Sequence, residues 1–172
     1  MKFLPLNGEW ELIERPLSDG PEAAEDVLTA STAASGCRPA AGLTARVPGD
    51  VNDSLVRAGC LPEPLTALNY EKFAWIKERS WWFRKSFTVP TDWNGLPRIE
   101  LSLDGLDVHA DVWLNGVFQG HHASSFYPLV CDCTELLTPG GDATILVRLT
   151  TGWEHVPDDE RARDLKKRVP TE

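Results

Sequence analysis

The residues best suited to chemistry in this sequence are aromatic, and they crowd into the stretch WIKERSWWFRKSF, residues 75–87. The chain has seven tryptophans, and Trp75, Trp81 and Trp82 all lie in this stretch. An aromatic ring packs on the apolar C–H face of a sugar, while nearby amides and carboxylates bond the sugar hydroxyls. The candidate substrate-binding residues are therefore Trp75, Asn69, Glu71, Glu78 and Trp81. The alternative for Trp75 is packing within its own domain.

Catalytic and metal chemistry find less support in the sequence. Glu71 and Glu78 are close together in the sequence, but solvated loop carboxylates are the better interpretation of this pair. His121-His122 has no carboxylate or thiol at metal-ligand spacing, and Cys131 and Cys133 would point to opposite faces of a strand. The motifs G-x-S-x-G and H-E-x-x-H and a glycine-rich phosphate loop do not occur. We predict no catalytic residue, no metal site and no cofactor.

These side chains must be positioned by β-strands, because apolar and polar residues alternate over 98–103, 108–114 and 144–150. Such alternation is typical of strands with an apolar inner face and a polar outer face. Asn115-Gly116 separates two such runs and favours a two-residue hairpin turn. Trp82 should face away from Trp81. Further strands are expected over 9–14, near 44–47 and over 82–89.

Helix is scarce. Residues 50–59 predict one short helix, with Asp50 or Asn52 as the N-cap and Gly59 as the terminator. Residues 134–137 resemble a single turn, and residues 18–42 are expected to be mostly loop, with a short strand near 27–30. The sequence therefore predicts an all-β fold, a single antiparallel jelly-roll β-sandwich with one short helix.

The composition narrows the range of partners. A net charge of −9 without a basic stripe argues against nucleic acid, and no apolar run is long enough to span a bilayer. The N-terminus lacks the apolar core and cleavage site of a signal peptide, so we expect a cytoplasmic protein. Trp113 falls on the polar face of its strand, where an exposed ring would mark an interdomain contact or a homodimer.

Several motifs in a fixed order carry a family resemblance. LNGEWEL resembles the opening of the N-terminal domain in glycoside hydrolase family 2, which includes β-galactosidases, β-glucuronidases and β-mannosidases. VPGDVNDSLVRAG followed by NYEKFAWIKERSWWFRKSF is most similar to the β-mannosidase branch. The stretch from LDGLDVHADVWLNG to DATILVRL resembles the next block of that family. The match runs from about Leu6 to Thr150, and Asn52, Ser54 and Ala143 depart from the branch pattern.

The resemblance implies a galactose-binding-domain-like jelly roll that sends residues 66–79 toward an active site on another domain. Family members continue into an immunoglobulin-like domain and a (β/α)8 barrel that holds two catalytic glutamates. We therefore expect residues 1–172 to be a single N-terminal domain, a fragment of a longer protein. Residues 151–172 would then begin a long loop toward further strands.

The expected function is that of a non-catalytic N-terminal domain of a β-mannosidase-like hydrolase, which supports the barrel and helps wall its active site. Its partners would be a β-mannoside or related glycoside, bound through the full-length enzyme, and its own barrel and immunoglobulin-like domains. Two alternatives stay open: a stand-alone carbohydrate-binding module, and the N-terminal domain of a β-galactosidase- or β-glucuronidase-type member.

Overall fold

The computed structural model describes residues 2–30 and 42–167, in which eight strands form two antiparallel sheets. The larger sheet has six strands in the order β2-β1-β3-β8-β5-β6, and β4 pairs with β7 in the second. This arrangement confirms the predicted all-β antiparallel sandwich. The strands are β1 Gly8–Pro16, β2 Leu43–Val47, β3 Arg79–Thr88, β4 Glu100–Leu103, β5 His109–Leu114, β6 Val117–Ala123, β7 Leu129–Asp132 and β8 Asp142–Thr150.

The main hydrophobic core lies between the two sheets. Alternate residues of the large sheet point inward, among them Leu12 of β1, Trp81 of β3 and Val112 of β5. The small sheet contributes Leu101, and the loop after β7 contributes the fully buried Cys133. The period-two pattern of the sequence therefore identified the inner face correctly, because side chains alternate across a strand.

The outer face of the large sheet is not the polar surface that the alternation predicted. Trp82, Trp113 and Leu146 form a second buried cluster there, and Val27 packs on them. The rings of Trp82 and Trp113 stack with centroids 5.6 Å apart. Trp113 is only 5% exposed, so it does not form the exposed interface that would have indicated a homodimer or interdomain contact. Trp81 and Trp82 face opposite ways, as predicted, yet both are buried.

The described residues contain three α-helices, where one was predicted: α1 Ala24–Thr29, α2 Val51–Arg57 and α3 Asp158–Lys167. The predicted helix is α2, and the Asp50 carboxylate caps it by accepting a hydrogen bond of 2.7 Å from the Asp53 N–H. The strand expected near 27–30 is wrong, because α1 occupies that stretch. Its buried Val27 covers the outer face of the sheet, which favours a helical turn over an isolated strand.

The described part of residues 151–172 is helical rather than an extended loop. A 3-10 turn over Trp153–His155 precedes α3. Acidic residues fill the first turn of α3, where they interact favourably with the helix dipole. Arg163 pairs with Asp159 at 3.2 Å, one turn away. These local interactions stabilise the helix, and the expected connection to further strands stays a prediction.

The hairpin between β5 and β6 is confirmed, and both turn residues have positive φ, 51° at Asn115 and 79° at Gly116. The Asn115 side chain also joins two other segments. It donates to the Leu136 carbonyl at 2.8 Å and accepts from the Thr144 N–H at 2.8 Å. No helix in residues 2–30 and 42–167 has the length and apolar character needed to cross a bilayer.

Candidate functional site

Several connections of the chain meet at one end of the large sheet, which we call the loop end. The strand register shows why: Pro16 pairs with Arg79, and His109 pairs with both Thr150 and Ala123. At this end of the sheet, three strands therefore end and two begin. The segments that leave or enter at the loop end are 17–20, 74–78, 104–108, 124–128 and 151–157.

Trp75 packs beside the main core. Its ring centroid lies 5.9 Å from that of Trp81, with the planes tilted by 46°. Trp81 is 3% exposed, and its indole N–H donates to the Ile76 carbonyl at 3.0 Å. Burial leaves the Trp81 ring no face for a ligand, so its predicted substrate-binding role is replaced by a packing role. Trp75 is half-buried.

A shallow depression of about 500 Å³ lies on the segment that leads to Trp75. Its walls combine an aliphatic chain with an amide, a carboxylate and an ammonium group, which are the groups that bond sugar hydroxyls and pack on sugar rings. Two of the five predicted substrate-binding residues line it, and Trp75, Glu78 and Trp81 do not. The lining residues are Ala67, Leu68, Asn69, Glu71 and Lys72.

The depression is held by local hydrogen bonds and by an unusual backbone conformation. The Asn69 side-chain amide donates to the Glu63 carbonyl at 3.0 Å, and the Asn69 N–H donates to the Thr66 carbonyl at 3.2 Å. Ala67 adopts a φ of 51°, in the left-handed region that costs L-residues energy. Such strain concentrates at functional sites. The depression is therefore the best-supported candidate site, on the segment that leads to the loop end.

Glu71 and Glu78 have different surroundings. Glu71 is exposed in the 3-10 turn Asn69–Phe73. Glu78 is half-buried at the end of the next turn, where its N–H donates to the Trp75 carbonyl at 3.0 Å. The structure therefore places Glu71 where it can meet a ligand in the depression, whereas Glu78 belongs to the turn that connects Trp75 to β3.

Exposed aromatic rings at the loop end were missed by the sequence analysis. Phe126 is 90% exposed and Tyr127 is 71% exposed on the 124–128 segment. Away from the loop end, Tyr70 is 61% exposed beside Asn69. The 124–128 segment is well anchored, since His122 Nε2 lies 2.7 Å from the Ser124 carbonyl oxygen. The signal was present as an aromatic pair in the sequence SSFYP, whose serines and proline are typical of a loop rather than a strand.

The histidines and thiols considered for metal binding serve other purposes. His121 Nδ1 lies 2.9 Å from the Asp111 carboxylate. Burial raises the pKa of Cys133 to about 11 and also raises that of Cys131, so both stay protonated near neutral pH. Within the described ranges no three His, Cys, Asp or Glu side chains are arranged to hold a metal ion. Cys37 lies outside the described residues.

Comparison with known proteins supplies the family. A β-mannosidase B from Emericella nidulans is 32% identical over 124 residues, which cover 72% of this chain and 14% of that protein. A β-glucuronidase from Paenibacillus borealis is 34% identical over 89 residues, 46% of this chain and 15% of that protein. The chain therefore spans about one seventh of the length of these relatives.

A solved structure extends the similarity to almost the whole chain. The crystal structure of a β-D-mannosidase from Dictyoglomus thermophilum superposes with a TM-score of 0.71 and 26% identity, covering 95% of this chain and 17% of that one. The family model for the glycosyl hydrolase 2 galactose-binding domain-like domain matches residues 28–171. A match of this extent shows that the chain belongs to the galactose-binding domain-like family of glycosyl hydrolase 2.

Proposed function

We propose that this chain is the N-terminal, non-catalytic domain of a β-mannosidase-type enzyme that hydrolyses O-glycosidic bonds. The observation that carries the proposal is the match of 95% of the chain to a β-D-mannosidase structure at 26% identity. The β-mannosidase B relative adds support, because its similarity covers 72% of the chain. A β-mannoside or related glycoside is then the substrate class of the longer enzyme.

In this proposal the loop end forms one wall of an active site whose catalytic groups lie on a (β/α)8 barrel. Retaining glycoside hydrolysis uses two carboxyl groups about 5–5.5 Å apart on either side of the scissile bond. The contribution of this domain is binding rather than bond cleavage. Asn69 and Glu71 would bond sugar hydroxyls from the depression, and Leu68 and Tyr70 offer apolar surface beside them. Trp75 would support the segment from the core side.

The proposed partners are the barrel and the immunoglobulin-like domain of the same polypeptide. The 124–128 segment supports this, because Phe126 and Tyr127 expose large apolar rings. Exposed rings on an anchored loop are typical of contact surfaces. Within the proposal, these two rings pack against a neighbouring domain, while the depression near Asn69 stays open to the substrate.

Two assays test the proposal. The purified chain is expected to release no nitrophenol from p-nitrophenyl β-mannoside, and turnover by the pure chain would contradict a non-catalytic role. The gene is then sequenced beyond the codon for Glu172. A reading frame that continues into a barrel, and whose full product cleaves the β-mannoside, is the expected result. A stop codon at that point would contradict the proposal and favour a stand-alone module.

A carbohydrate-binding module is the second candidate function, favoured by the open depression with an amide and a carboxylate in its wall. Titration calorimetry of the chain with manno-oligosaccharides, galactosides and glucuronides separates the two candidates. Measurable binding by the chain alone favours a module, and a flat titration favours a scaffold. Preference for a glucuronide would instead favour a β-glucuronidase-type parent, as the 34% identity with the Paenibacillus borealis protein suggests.

We also propose that the protein works in the cytoplasm. The free thiols of Cys131 and Cys133 support this, because cytosolic cysteines are kept reduced. Cell fractionation with an antibody against the chain tests the location, and recovery in the culture medium or a membrane fraction would contradict it.

A further inference from the structure

The 3-10 turn Trp153–His155, which follows β8, lies directly against the segment that carries Trp75. The Lys77 ammonium group sits 3.7 Å from the centre of the Trp153 ring. The Thr151 hydroxyl donates to the Lys77 carbonyl at 3.1 Å. Residues after the last strand therefore contact both the side chain and the backbone of Lys77, two residues from Trp75.

The opposite side of this turn is fixed to the large sheet. Glu154 accepts a hydrogen bond of 2.6 Å from the Thr150 hydroxyl at the end of β8. It also lies 3.6 Å from a guanidinium nitrogen of Arg148, which is 6% exposed. The ring of His155 lies 5.1 Å from that of His109 on β5. The turn is therefore attached to two neighbouring strands of a rigid sheet.

The backbone at Gly152, directly before the turn, lies very close to the His109 ring on the sheet. Gly152 has a φ of 78°, and a Cβ at this position would lie 2.8 Å from two atoms of the His109 ring. Any side chain at position 152 would therefore force the ring or the turn to move. The start of the turn is therefore packed closely against the His109 ring on β5.

We propose that Trp153 is a positioning residue for the depression. In this proposal, residues 151–155 attach residues 69–78 to the large sheet through the Lys77–Trp153 contact, which we call the brace. The attachment limits the motion of that segment. Among the aromatic side chains, tryptophan forms the strongest cation–π contacts with a lysine ammonium group. Trp81 holds the same segment from the core through the Ile76 carbonyl. The segment is thus fixed from two sides, one in the core and one on the surface.

The brace stands on the geometry alone, whereas its consequence for sugar binding rests on the proposed function. Without the brace, residues 69–78 would lose a side-chain contact with residues 151–155 and would keep the hydrogen bond from the Thr151 hydroxyl to the Lys77 carbonyl. Asn69 and Glu71 would then sample more orientations, and a ligand would have to order them on binding, which lowers affinity. Trp153 would thus affect ligand binding without touching the ligand.

Hydrogen exchange measured by mass spectrometry on the 172-residue chain tests the brace. Trp153→Leu and Lys77→Met are each expected to speed exchange of the 69–78 amides about threefold to tenfold, with strands β3 and β8 unchanged. Trp153→Phe keeps an aromatic face and should restore most of the protection. Equal exchange in the Leu and Phe variants, or no increase in 69–78, would overturn the proposal.

Two matched variants serve as controls at the opposite end of the sandwich. Lys85 lies over the Trp10 ring at 5.8 Å, and Trp93 is half-buried in another 3-10 turn. Lys85→Met and Trp93→Ala should leave exchange in 69–78 unchanged. An equal increase in these variants would mean that any loss of a Lys–Trp contact or of a tryptophan loosens the segment, which would also overturn the brace.

A double variant and a titration complete the test. Because Trp153 and Lys77 meet in one contact, the double variant should exchange no faster than the faster single variant, and additive effects would contradict the brace. If mannobiose binds the wild-type chain, Trp153→Leu should weaken that binding. Faster exchange with unchanged mannobiose binding would overturn the positioning role but keep the contact, and no binding by any variant would count against the sugar site alone.

Discussion

The guanidinium group of Arg84 on β3 lies 2.6 Å from the Glu11 carboxylate on β1 and also holds the end of α1. Its remaining nitrogens donate to the carbonyls of Val27 and Leu28 at 2.8 Å and of Ala30 at 3.1 Å. The last carbonyls of a helix have no partner within the helix. Arg84 therefore satisfies them and fixes α1 over the second buried cluster.

Replacement of Arg84 tests this anchor. Arg84→Ala is expected to lower the free energy of unfolding by about 2 kcal/mol, because it leaves buried carbonyls without a donor. Arg84→Lys keeps the charge but supplies no planar fork, so it should recover only part of the loss. Urea unfolding followed by circular dichroism measures both. Arg57→Ala, which breaks an exposed pair with Asp53, should cost about 0–0.5 kcal/mol, and an equal loss there would contradict the anchor.

The second buried cluster should contribute as much stability as an ordinary core. Trp113→Ala removes a ring that is 5% exposed and stacked on Trp82, and we expect a loss of about 3–5 kcal/mol. Thermal unfolding measures the change. Phe126→Ala is the matched control, because that ring is 90% exposed and its removal should change the stability by less than about 0.5 kcal/mol. Similar losses in both variants would show that the outer face is not a core.

The buried thiol of Cys133 predicts a stability change at alkaline pH. Burial raises its pKa from 9.0 to about 11, so the folded state favours the neutral thiol. A raised folded-state pKa means that its contribution is complete below pH 9.0 and is lost as the pH rises toward about 11. The free energy of unfolding, measured from pH 8 to pH 11, should therefore fall more steeply for the wild-type chain than for Cys133→Ala. Parallel curves would contradict this prediction.

Backbone strain at Ala67 predicts a stabilising substitution in the candidate site. Its φ of 51° disfavours any L-residue, so Ala67→Gly should raise the free energy of unfolding by about 0.5–1 kcal/mol, after allowing for the extra freedom of glycine in the unfolded chain. Ala74 has an ordinary φ of −59°, and Ala74→Gly should instead cost about 0.5–1 kcal/mol. Loss of stability in both variants, measured by urea unfolding, would show that Ala67 is unstrained.

The polar wall of the depression should decide ligand affinity. If calorimetry detects binding of a manno-oligosaccharide, Glu71→Gln and Asn69→Ala should each weaken it about fivefold to tenfold, equivalent to one hydrogen bond of about 1–1.5 kcal/mol. Glu135→Gln, a substitution of the same kind in the exposed part of the 3-10 turn Thr134–Leu136, should have no effect. Unchanged affinity in both depression variants would move the binding site elsewhere on the chain.

The sequence by itself determined the fold class, the inner face of the sandwich, the β5–β6 hairpin and the capped helix α2. Each of these depends on local rules: side chains alternate along a strand, Asn-Gly accepts positive φ, and a carboxylate at Asp50 caps the residues that follow it. The order of the motifs was also sufficient to identify the family, since motif order is a property of the chain alone.

Only the tertiary structure decided which aromatic residues are accessible. The outer face of the large sheet looked polar in sequence, yet α1 covers it, and Trp82 and Trp113 are buried as a result. Trp81 looked available for a ligand but lies in the core, whereas Tyr70, Phe126 and Tyr127 are exposed. Accessibility depends on what packs above a residue, and that neighbour can be distant in the chain. Lys77 and Trp153 are likewise in contact although most of the strands lie between them in the sequence.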